Sequence, residues 1–292
     1  MMDDNIFCRI RALLALRFIC EKKERNKIMP NHIRNILIFD GKPARIACML
    51  DAIKSHDDDI DETDFPNKIG TIDFNTIIPM PAELNVTSVS DVDTYIAAYL
   101  KAATSDNYAD YGIEALSEDA YEGYAAMLSD KYDIDVSREH ISDEKLKNRL
   151  NAKDVALGKQ YLTNLQKYGA STWYEWCIEN WDSKWNAYNF VPSSEPNTII
   201  FHTAWVCVLS VIMRLSEMYP DILFKYRWAD ESFGSNVGEC MLMDGVISHK
   251  NIPNVYTREA YELAADIREE SPEDYDLVYD AALDTYVPAD SK

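Results

Sequence analysis

Six short apolar or alternating runs, each of strand length, constrain the fold of this chain more than any other feature. They cover residues 32–39, 72–78, 184–191, 199–205, 222–228 and 238–247. Turn signals close the first two runs, Asp40-Gly41 in one case and Pro79 with Pro81 in the other. Because long helices do not alternate strictly with these strands, a doubly wound parallel sheet is disfavoured. The sequence predicts an α+β fold with an antiparallel-rich sheet and helices on one face.

Helical periodicity fills much of the chain between the predicted strands. Pro43 suits the first turn of a helix whose apolar residues recur at helical spacing up to Ile53. A helix is also predicted over 206–218. Other helices begin at the capping residues Asp91, Ser117, Ser142, Thr172 and Thr257. The helix that begins at Ser142 is predicted to run unbroken to Gly169, which ends it.

Charge and pattern together divide the chain into five regions. Residues 88–145 contain 14 acidic and 4 basic side chains, so 88–170 is interpreted as an acidic helical insertion. The sheet domain then has two parts, 29–87 and 171–250, and 251–292 form an acidic C-terminal helix and tail. Residues 1–28 are predicted to be an amphipathic N-terminal extension. This extension packs on the acidic body, contacts a partner, or precedes a natural start at Met29, which is the favoured alternative.

The charge balance limits the class of partner. The chain has 50 acidic and 29 basic residues, a formal net charge of -21 at pH 7. Nucleic-acid affinity comes mainly from Lys and Arg side chains that displace counterions from phosphates, so no direct nucleic-acid partner is expected. A negative field instead attracts proteins with a basic surface.

The cysteines and the apolar segments indicate a cytoplasmic protein. No two of the six cysteines form a C-x-x-C pair, and those beyond Cys20 lie in apolar segments, which predicts buried, reduced thiols. The segment Ile6 to Cys20 is too short and too rich in arginine to span a membrane. No membrane, metal or cofactor is expected, and the oligomeric state is left open.

Several segments resemble a known family. They are Met29 to His32, Phe74 to Pro81, Trp173 to Asn189, Thr203 to Trp205 and Ala229 to Gly238. The chain resembles the YubB-type (Api-like) ferredoxin-like domain family of phages and conjugative plasmids from Met29 to about Ile247, apart from the insertion. Asp182 stands where the family usually has Gly, and Val206 where Pro is more frequent. The resemblance implies a ferredoxin-like fold and a mobile-element setting, and it supplies no catalytic residues.

One group of residues is a candidate small-molecule site. It consists of Trp181, Lys184, Asp230, Glu231 and Glu239. Carboxylates on a loop between strands can bind hard cations, but this spacing matches no metal motif. Tryptophans can stack on nucleic-acid bases, yet large rings more often fill the interface between a helix and a sheet. An enzyme that acts on a nucleotide or other small molecule is therefore the alternative hypothesis, with no catalytic residue assigned.

A second group consists of the carboxylates of the predicted insertion. The candidate partner-binding residues are Asp91, Asp93, Asp106, Asp110, Glu114, Glu118, Asp119 and Glu122. Carboxylates clustered on helices can imitate a phosphate backbone and occupy a basic channel. The leading hypothesis is a non-enzymatic binding protein of a mobile element, which inhibits a host or competing protein that handles nucleic acid. A structural component that only oligomerises is the third possibility.

Overall fold

The computed structural model describes residues 31–137 and 140–291. The predicted amphipathic extension, 1–28, therefore lies outside the described residues. Within these ranges, no helix combines the length and the apolar character that crossing a membrane requires.

An antiparallel sheet of six strands, in the order β2-β3-β1-β4-β5-β6, forms the centre of the fold. The strands are β1 (His32–Asp40), β2 (Tyr188–Val191), β3 (Thr198–Ala204), β4 (Leu223–Asp230), β5 (Gly238–Met243) and β6 (Val246–Asn251). Strand β1 is antiparallel to both of its neighbours, β3 and β4. Hence β3 and β4 run parallel with β1 between them, which is the split β-α-β arrangement of ferredoxin-like folds. The predicted α+β class with an antiparallel sheet is confirmed.

Nine α-helices, five short 3-10 helices and a small hairpin complete the described part of the chain. The helices are α1 (Pro43–Ile53), α2 (Phe74–Ile77), α3 (Val92–Ala103), α4 (Glu118–Tyr132), α5 (Asp143–Arg149), α6 (Ala152–Tyr168), α7 (Trp173–Trp181), α8 (Leu209–Met218) and α9 (Arg258–Arg268). Strands β7 (Leu277–Asp280) and β8 (Thr285–Pro288) pair with each other only, so the predicted acidic tail contains a hairpin.

The main hydrophobic core lies between one face of the sheet, called the first face, and helices α1, α2, α7 and α8. Side chains alternate along each strand, so Leu37, Phe201 and Tyr226 point to this face and are fully buried. The helices contribute side chains such as Met49 and Trp181 to the same core. This packing buries the apolar runs that the sequence pattern identified.

The opposite face of the sheet, called the second face, is covered in part by α9 and by the β7–β8 hairpin. Ile36, Ile200 and Ala229 pack there against Ala264 and Ile267 of α9. The sequence predicted helices on one face of the sheet, whereas in the structure α9 also covers part of the other face. Its apolar stripe is narrow, and α9 leaves the part of the second face near β2 to polar side chains.

Helices α3 to α6 surround a core of their own, separate from the sheet. Residues 94–100 of α3 are all buried, and α6 contributes Val155, Tyr161 and Leu165. The backbones of α3 and α6 approach closely at Gly158, where a Cβ atom would lie 2.0 Å from the Tyr95 carbonyl oxygen. Glycine is therefore required at this crossing.

Three predicted elements differ in the structure. The strand predicted over 72–78 contains helix α2, because the Asp73 carboxylate accepts a hydrogen bond from the Asn75 amide (2.9 Å) and caps a helical turn. The strand predicted over 238–247 is the hairpin β5–β6, whose turn places Asp244 at φ 50° and Gly245 at φ 71°. The helix predicted from Ser142 to Gly169 divides at Asn151, whose side chain caps α6.

The described cysteines also differ in how far they are buried. Cys177 and Cys240 are buried as predicted, whereas Cys207 is half-buried and Cys48 is exposed. Cys48 lies two residues after Ile46 on α1, and a helix turns about 200° over two residues, so a buried Ile46 places Cys48 towards solvent.

Candidate functional site

The candidate partner-binding carboxylates occupy two different environments. Six of them are exposed, and none of these six forms an ion pair with another residue of 31–137 or 140–291. They are Asp106, Asp110, Glu114, Glu118, Asp119 and Glu122. The segment that carries them, 102–130, contains seven acidic residues and no Lys or Arg. We call residues 102–130 the acidic segment. No Lys or Arg within this segment neutralises its negative charge.

Asp91 and Asp93 belong instead to the internal contacts of the insertion. The Arg149 guanidinium donates a 3.0 Å hydrogen bond to the Asp91 carboxylate and lies 4.2 Å from the centre of the Tyr95 ring. The Asp93 carboxylate is 2.9 Å from His140 Nε2. These two carboxylates therefore connect α3 to the segments around α5, and we expect them to act in folding.

Helix α4 projects its carboxylates into solvent because it packs on the rest of the insertion through a narrow contact. Leu128 is its one fully buried residue. The Ser117 hydroxyl oxygen accepts a hydrogen bond from the Ala120 amide and caps the helix. Glu118 and Asp119 occupy the first turn, where the helix dipole favours negative charge. The local sequence thus stabilises a helix that begins with an exposed acidic turn.

Among the candidate small-molecule residues, Trp181 lies in the main core. It is 4% exposed, and its indole Nε1 donates a 2.9 Å hydrogen bond to the Ile78 carbonyl. Its ring makes edge contacts with Phe74 and Trp176, at centroid distances of 5.8 Å each. Trp181 therefore fills the interface between a helix and the sheet and presents no surface to a ligand.

Asp230 closes the end of the sheet. Its buried carboxylate accepts hydrogen bonds from the side chains of Asn31 and Asn236, at 3.1 Å each, and from the Ser232 amide at 2.8 Å. Asn236 also donates to the carbonyl of Trp205, whose φ of 75° is unusual for a bulky residue. Asp230 thus holds together three chain segments, and its oxygens are already occupied.

Glu239 lies on the second face of the sheet, away from Trp181. It is opposite Arg227 in the β4–β5 pair and accepts a 3.1 Å hydrogen bond from Arg227 Nε. Arg227 also contacts Asp266 of α9. Lys184 Nζ lies 3.9 Å from the centre of the Trp185 ring. The five candidate residues are therefore not brought to one place, and within the described ranges no three His, Cys, Asp or Glu side chains are arranged to share a metal ion.

The structure instead gathers polar residues on the second face near β2. Arg34 is opposite His202 in the β1–β3 pair, and His202 is opposite Tyr188 in the β2–β3 pair. His32, two residues before Arg34, lies on the same face. We call Arg34, His202, Tyr188 and His32 the second-face cluster. Of the predicted residues, Glu231 adjoins it, since the Glu231 amide donates to the His32 carbonyl (3.1 Å).

Ring contacts and a hydrogen bond connect the second-face cluster. His32 Nδ1 is 2.8 Å from the Tyr188 hydroxyl. The His202 ring centre lies 6.2 Å from that of His32 and 6.3 Å from that of Tyr188. Burial, followed by the charge of Glu231, raises the pKa of Tyr188 to about 12. The Tyr188 hydroxyl is therefore protonated at neutral pH and can donate or accept a hydrogen bond.

His202 is held neutral by its surroundings. Burial lowers its pKa most, and the nearby His32 and Arg34 lower it further, whereas a hydrogen bond with the Asn189 backbone raises it. His202 is half-buried in β3, directly opposite a permanently charged guanidinium. Protonation would therefore add a second positive charge in a partly dehydrated place.

This environment predicts a pH dependence of stability. Because the pKa of His202 is lower in the folded protein, the unfolded chain binds more protons below its own pKa of about 6.5. His202 therefore does not lower the free energy of unfolding above that pH, and the free energy of unfolding decreases as the pH falls through it. We expect His202→Gln to flatten the fall in the free energy of unfolding between about pH 7.5 and about pH 5.5. Urea denaturation at each pH measures this slope, and an unchanged slope would contradict the prediction.

Sequence reasoning missed the second-face cluster because it depends on strand register. His32, Tyr188 and His202 are far apart in the chain, and none belongs to a motif for catalysis or ligand binding. The available signal was alternation: in the run 198–204, His202 takes the side opposite to Phe201, which identifies it as a polar residue on an otherwise apolar strand.

Comparison with known proteins gives a family model and a solved structure. Residues 180–271 match the family model described as a ferredoxin-like domain in Api92-like protein. The crystal structure of a protein api92 from Yersinia pseudotuberculosis matches with a TM-score of 0.36 and 11% sequence identity, over 78% of this chain and 99% of that chain. No curated protein matches the chain.

The matched range differs from the predicted one. It begins at residue 180 and extends past Ile247 to residue 271, so it contains β2 to β6 and α9. It also contains two members of the second-face cluster, Tyr188 and His202, together with Glu231. Residues 180–271 of this chain are therefore similar to the ferredoxin-like domain of Api92-like proteins, the family that the sequence resemblance indicated.

Proposed function

We propose that this chain is a non-enzymatic binding protein whose acidic segment occupies a basic surface on another protein. The observation that carries the proposal is that six exposed carboxylates lie between Asp106 and Glu122 without an ion pair to any described residue. Carboxylates that were needed for folding would be paired, as Asp91 and Asp93 are. The electrostatic field of unpaired carboxylates is not reduced by a neighbouring positive charge, so it can attract a partner.

The chemistry of this surface defines the kind of partner. Clustered carboxylates can imitate a phosphate backbone and occupy a basic nucleic-acid channel, and they accelerate the encounter by electrostatic steering. Half-buried tyrosines on the same segment, such as Tyr121 and Tyr124, supply aromatic contact area. In the setting that the family resemblance implies, the protein acts in the cytoplasm of a bacterial host. Its target there is a defence protein that handles nucleic acid.

Two variants of equal charge test the proposal. The first, D106N/D110N/E114Q/E122Q, neutralises four carboxylates of the acidic segment. The second, D57N/D58N/D59N/E62Q, neutralises four exposed carboxylates of the loop after α1 and serves as the matched control. We expect proteins captured from host lysate at low salt by the wild type and the control to be absent from the first variant. Their release should follow ionic strength, because screening lengths shorten as salt rises.

The association rate measured with the captured target provides a second test. With the purified target, the association rate of the acidic-segment variant should fall by about tenfold or more at low salt and converge with the wild type at high salt. Equal capture by both variants, or an association rate that ignores salt, would exclude the acidic segment as the binding surface.

A further inference from the structure

Two adjacent buried polar atoms of the second-face cluster lack hydrogen-bond partners. They are Arg34 Nε and His202 Nδ1; in the described ranges, Ser183 Oγ is the one further buried side-chain nitrogen or oxygen in this condition. Leaving a buried polar group unsatisfied costs about 1–3 kcal/mol, and more when the group is charged. Two such atoms on neighbouring residues therefore indicate that a group beyond the described residues completes their hydrogen bonding.

The strand register places these two residues side by side. Arg34 and His202 are directly opposite each other in the β1–β3 pair, and both side chains rise from the second face. Cβ atoms of residues directly opposite each other lie about 5 Å apart. Arg34 also lowers the pKa of His202, as a near positive charge does. One small group can therefore contact both side chains.

The rest of the Arg34 guanidinium is held by a replaceable partner. Arg34 Nη2 donates a 3.1 Å hydrogen bond to Glu269 Oε2, and the Glu269 side chain is 73% exposed whereas that of Arg34 is 14% exposed. Exposed ion pairs of this kind contribute at most about 1 kcal/mol. By contrast, the neighbouring Arg268 is held at 2.6 Å and 3.2 Å by Glu270, which also contacts Tyr275. Glu269 is thus the partner that a ligand can displace.

We propose that the second-face cluster binds the oxyanion group of a small molecule, a phosphate or a carboxylate. The oxyanion takes the place of Glu269 and accepts hydrogen bonds from Nε and Nη2 of Arg34. It also accepts one from Nδ1 of His202, which takes up a proton as the oxyanion binds, because the negative charge of the oxyanion offsets the positive charge of Arg34. A guanidinium presents its Nε–H and Nη–H groups as a fork that fits two oxygens of a carboxylate or phosphate. The proposal is independent of the acidic segment, which lies on the insertion.

The surroundings limit the size of the ligand. The net charge of -21 repels polyanions, so a single oxyanion on a small molecule is favoured over a nucleic acid. Tyr188 belongs to the second-face cluster, and the Trp185 ring, 40% exposed, makes an edge contact with the Tyr188 ring at a centroid distance of 6.4 Å. These rings offer apolar surface to the part of the ligand beyond its oxyanion.

Calorimetric titration of the full chain tests the proposal, with inorganic phosphate, sulfate and acetate as probes at constant ionic strength. We expect saturable binding by the wild type, and comparing acetate with the two tetrahedral anions distinguishes a carboxylate from a phosphate ligand. His202→Gln and Arg34→Lys should weaken binding by about tenfold or more, because each loses a charge-assisted hydrogen bond. Arg34→Lys keeps the positive charge and removes the fork.

The decisive variant is Glu269→Gln. It removes the internal competitor for Arg34, so we expect binding about two- to fivefold tighter, the worth of an exposed ion pair. Glu262→Gln is the matched control, since Glu262 is an exposed carboxylate of α9 that pairs with Arg258. Absence of saturable binding by both the wild type and Glu269→Gln would overturn the proposal and assign the two atoms to an ordered water molecule. Equal tightening by both glutamine variants would also overturn it.

Discussion

Gly158→Ala is expected to lower the free energy of unfolding by about 3 kcal/mol, the upper range for adding one methyl group to a packed interior. The new Cβ would lie 2.0 Å from the Tyr95 carbonyl oxygen, 2.6 Å from its carbonyl carbon and 3.1 Å from Cβ of Tyr99. Two of these atoms belong to the backbone of α3, so no side-chain rotation relieves the overlap. Helices α3 and α6 must separate, and their shared core loosens.

The control for this prediction is Gly123→Ala. Gly123 lies in the interior of α4, and a Cβ there meets no atom within 4 Å. Alanine should therefore stabilise the protein by about 0.5–1 kcal/mol, the difference in helix propensity between the two residues. Urea denaturation followed by circular dichroism measures both variants. Changes of the same sign would show that α3 and α6 do not cross in close contact at Gly158.

Tyr226→Phe is expected to destabilise the protein by about 2–4 kcal/mol, because it leaves two buried polar groups unsatisfied. The Tyr226 hydroxyl donates a 2.7 Å hydrogen bond to Asn35 Oδ1 and accepts one of 2.9 Å from the Val208 amide. The Asn35 amide in turn donates 3.0 Å to Thr203 Oγ1, which donates 2.7 Å to the Val206 carbonyl. This network joins β1, β3 and β4 to the start of α8.

Tyr219→Phe is the matched control, because Tyr219 belongs to the same core and its hydroxyl makes no hydrogen bond that the described residues show. Its ring, which lies under Arg45 at 5.3 Å, is kept in the variant. We expect a change within about 0.5 kcal/mol. Thermal unfolding of the two variants side by side separates the loss of a satisfied hydroxyl from the general effect of removing an oxygen. Equal losses would contradict the role of the Tyr226 network.

The sequence predicted best those elements whose signal is local. Ser117, Thr172 and Thr257 were predicted as caps, and in the structure each side chain accepts a hydrogen bond from the first turn of its helix. The strands at 32–39, 199–205 and 222–228 are also found close to their predicted bounds. Capping and alternation are properties of a few consecutive residues, so a single sequence contains them.

Helix α2, which the sequence predicted as a strand, depends in part on a contact across the chain. At the start of this helix, the Phe74 amide donates a 2.9 Å hydrogen bond to Oδ1 of Asn186, a residue far away in sequence. The hairpin turn at Asp244-Gly245 had a local signal, the Asp-Gly pair, which an apolar run of ten residues concealed.

The candidate site shows the same division. The composition of the acidic segment predicts that it is exposed. The separation of Trp181 from Glu239 instead depends on the two faces of the sheet, because Trp181 packs in the core on the first face and Glu239 points to the second face. A single sequence shows which residues alternate, but it does not show which strands are neighbours, so it could not bring His32, Tyr188 and His202 together.

The two ends of the insertion are held together by one side chain, and this limits which parts of the sequence can change. The side-chain amide of Asn164 donates hydrogen bonds to the carbonyls of Glu83, where the chain leaves the sheet domain, and of Ser171, where it returns, at 3.0 Å and 2.9 Å. One residue therefore fixes the distance between exit and return. As long as Asn164 and its helix α6 are kept, the sheet domain has the same two fixed ends whatever the chain before α6 does, and the entropy of closing a loop grows only slowly with its length. The acidic segment can thus be lengthened, shortened or replaced by a segment of another charge while the sheet remains unchanged, so the surface charge of the insertion and the sheet can evolve separately.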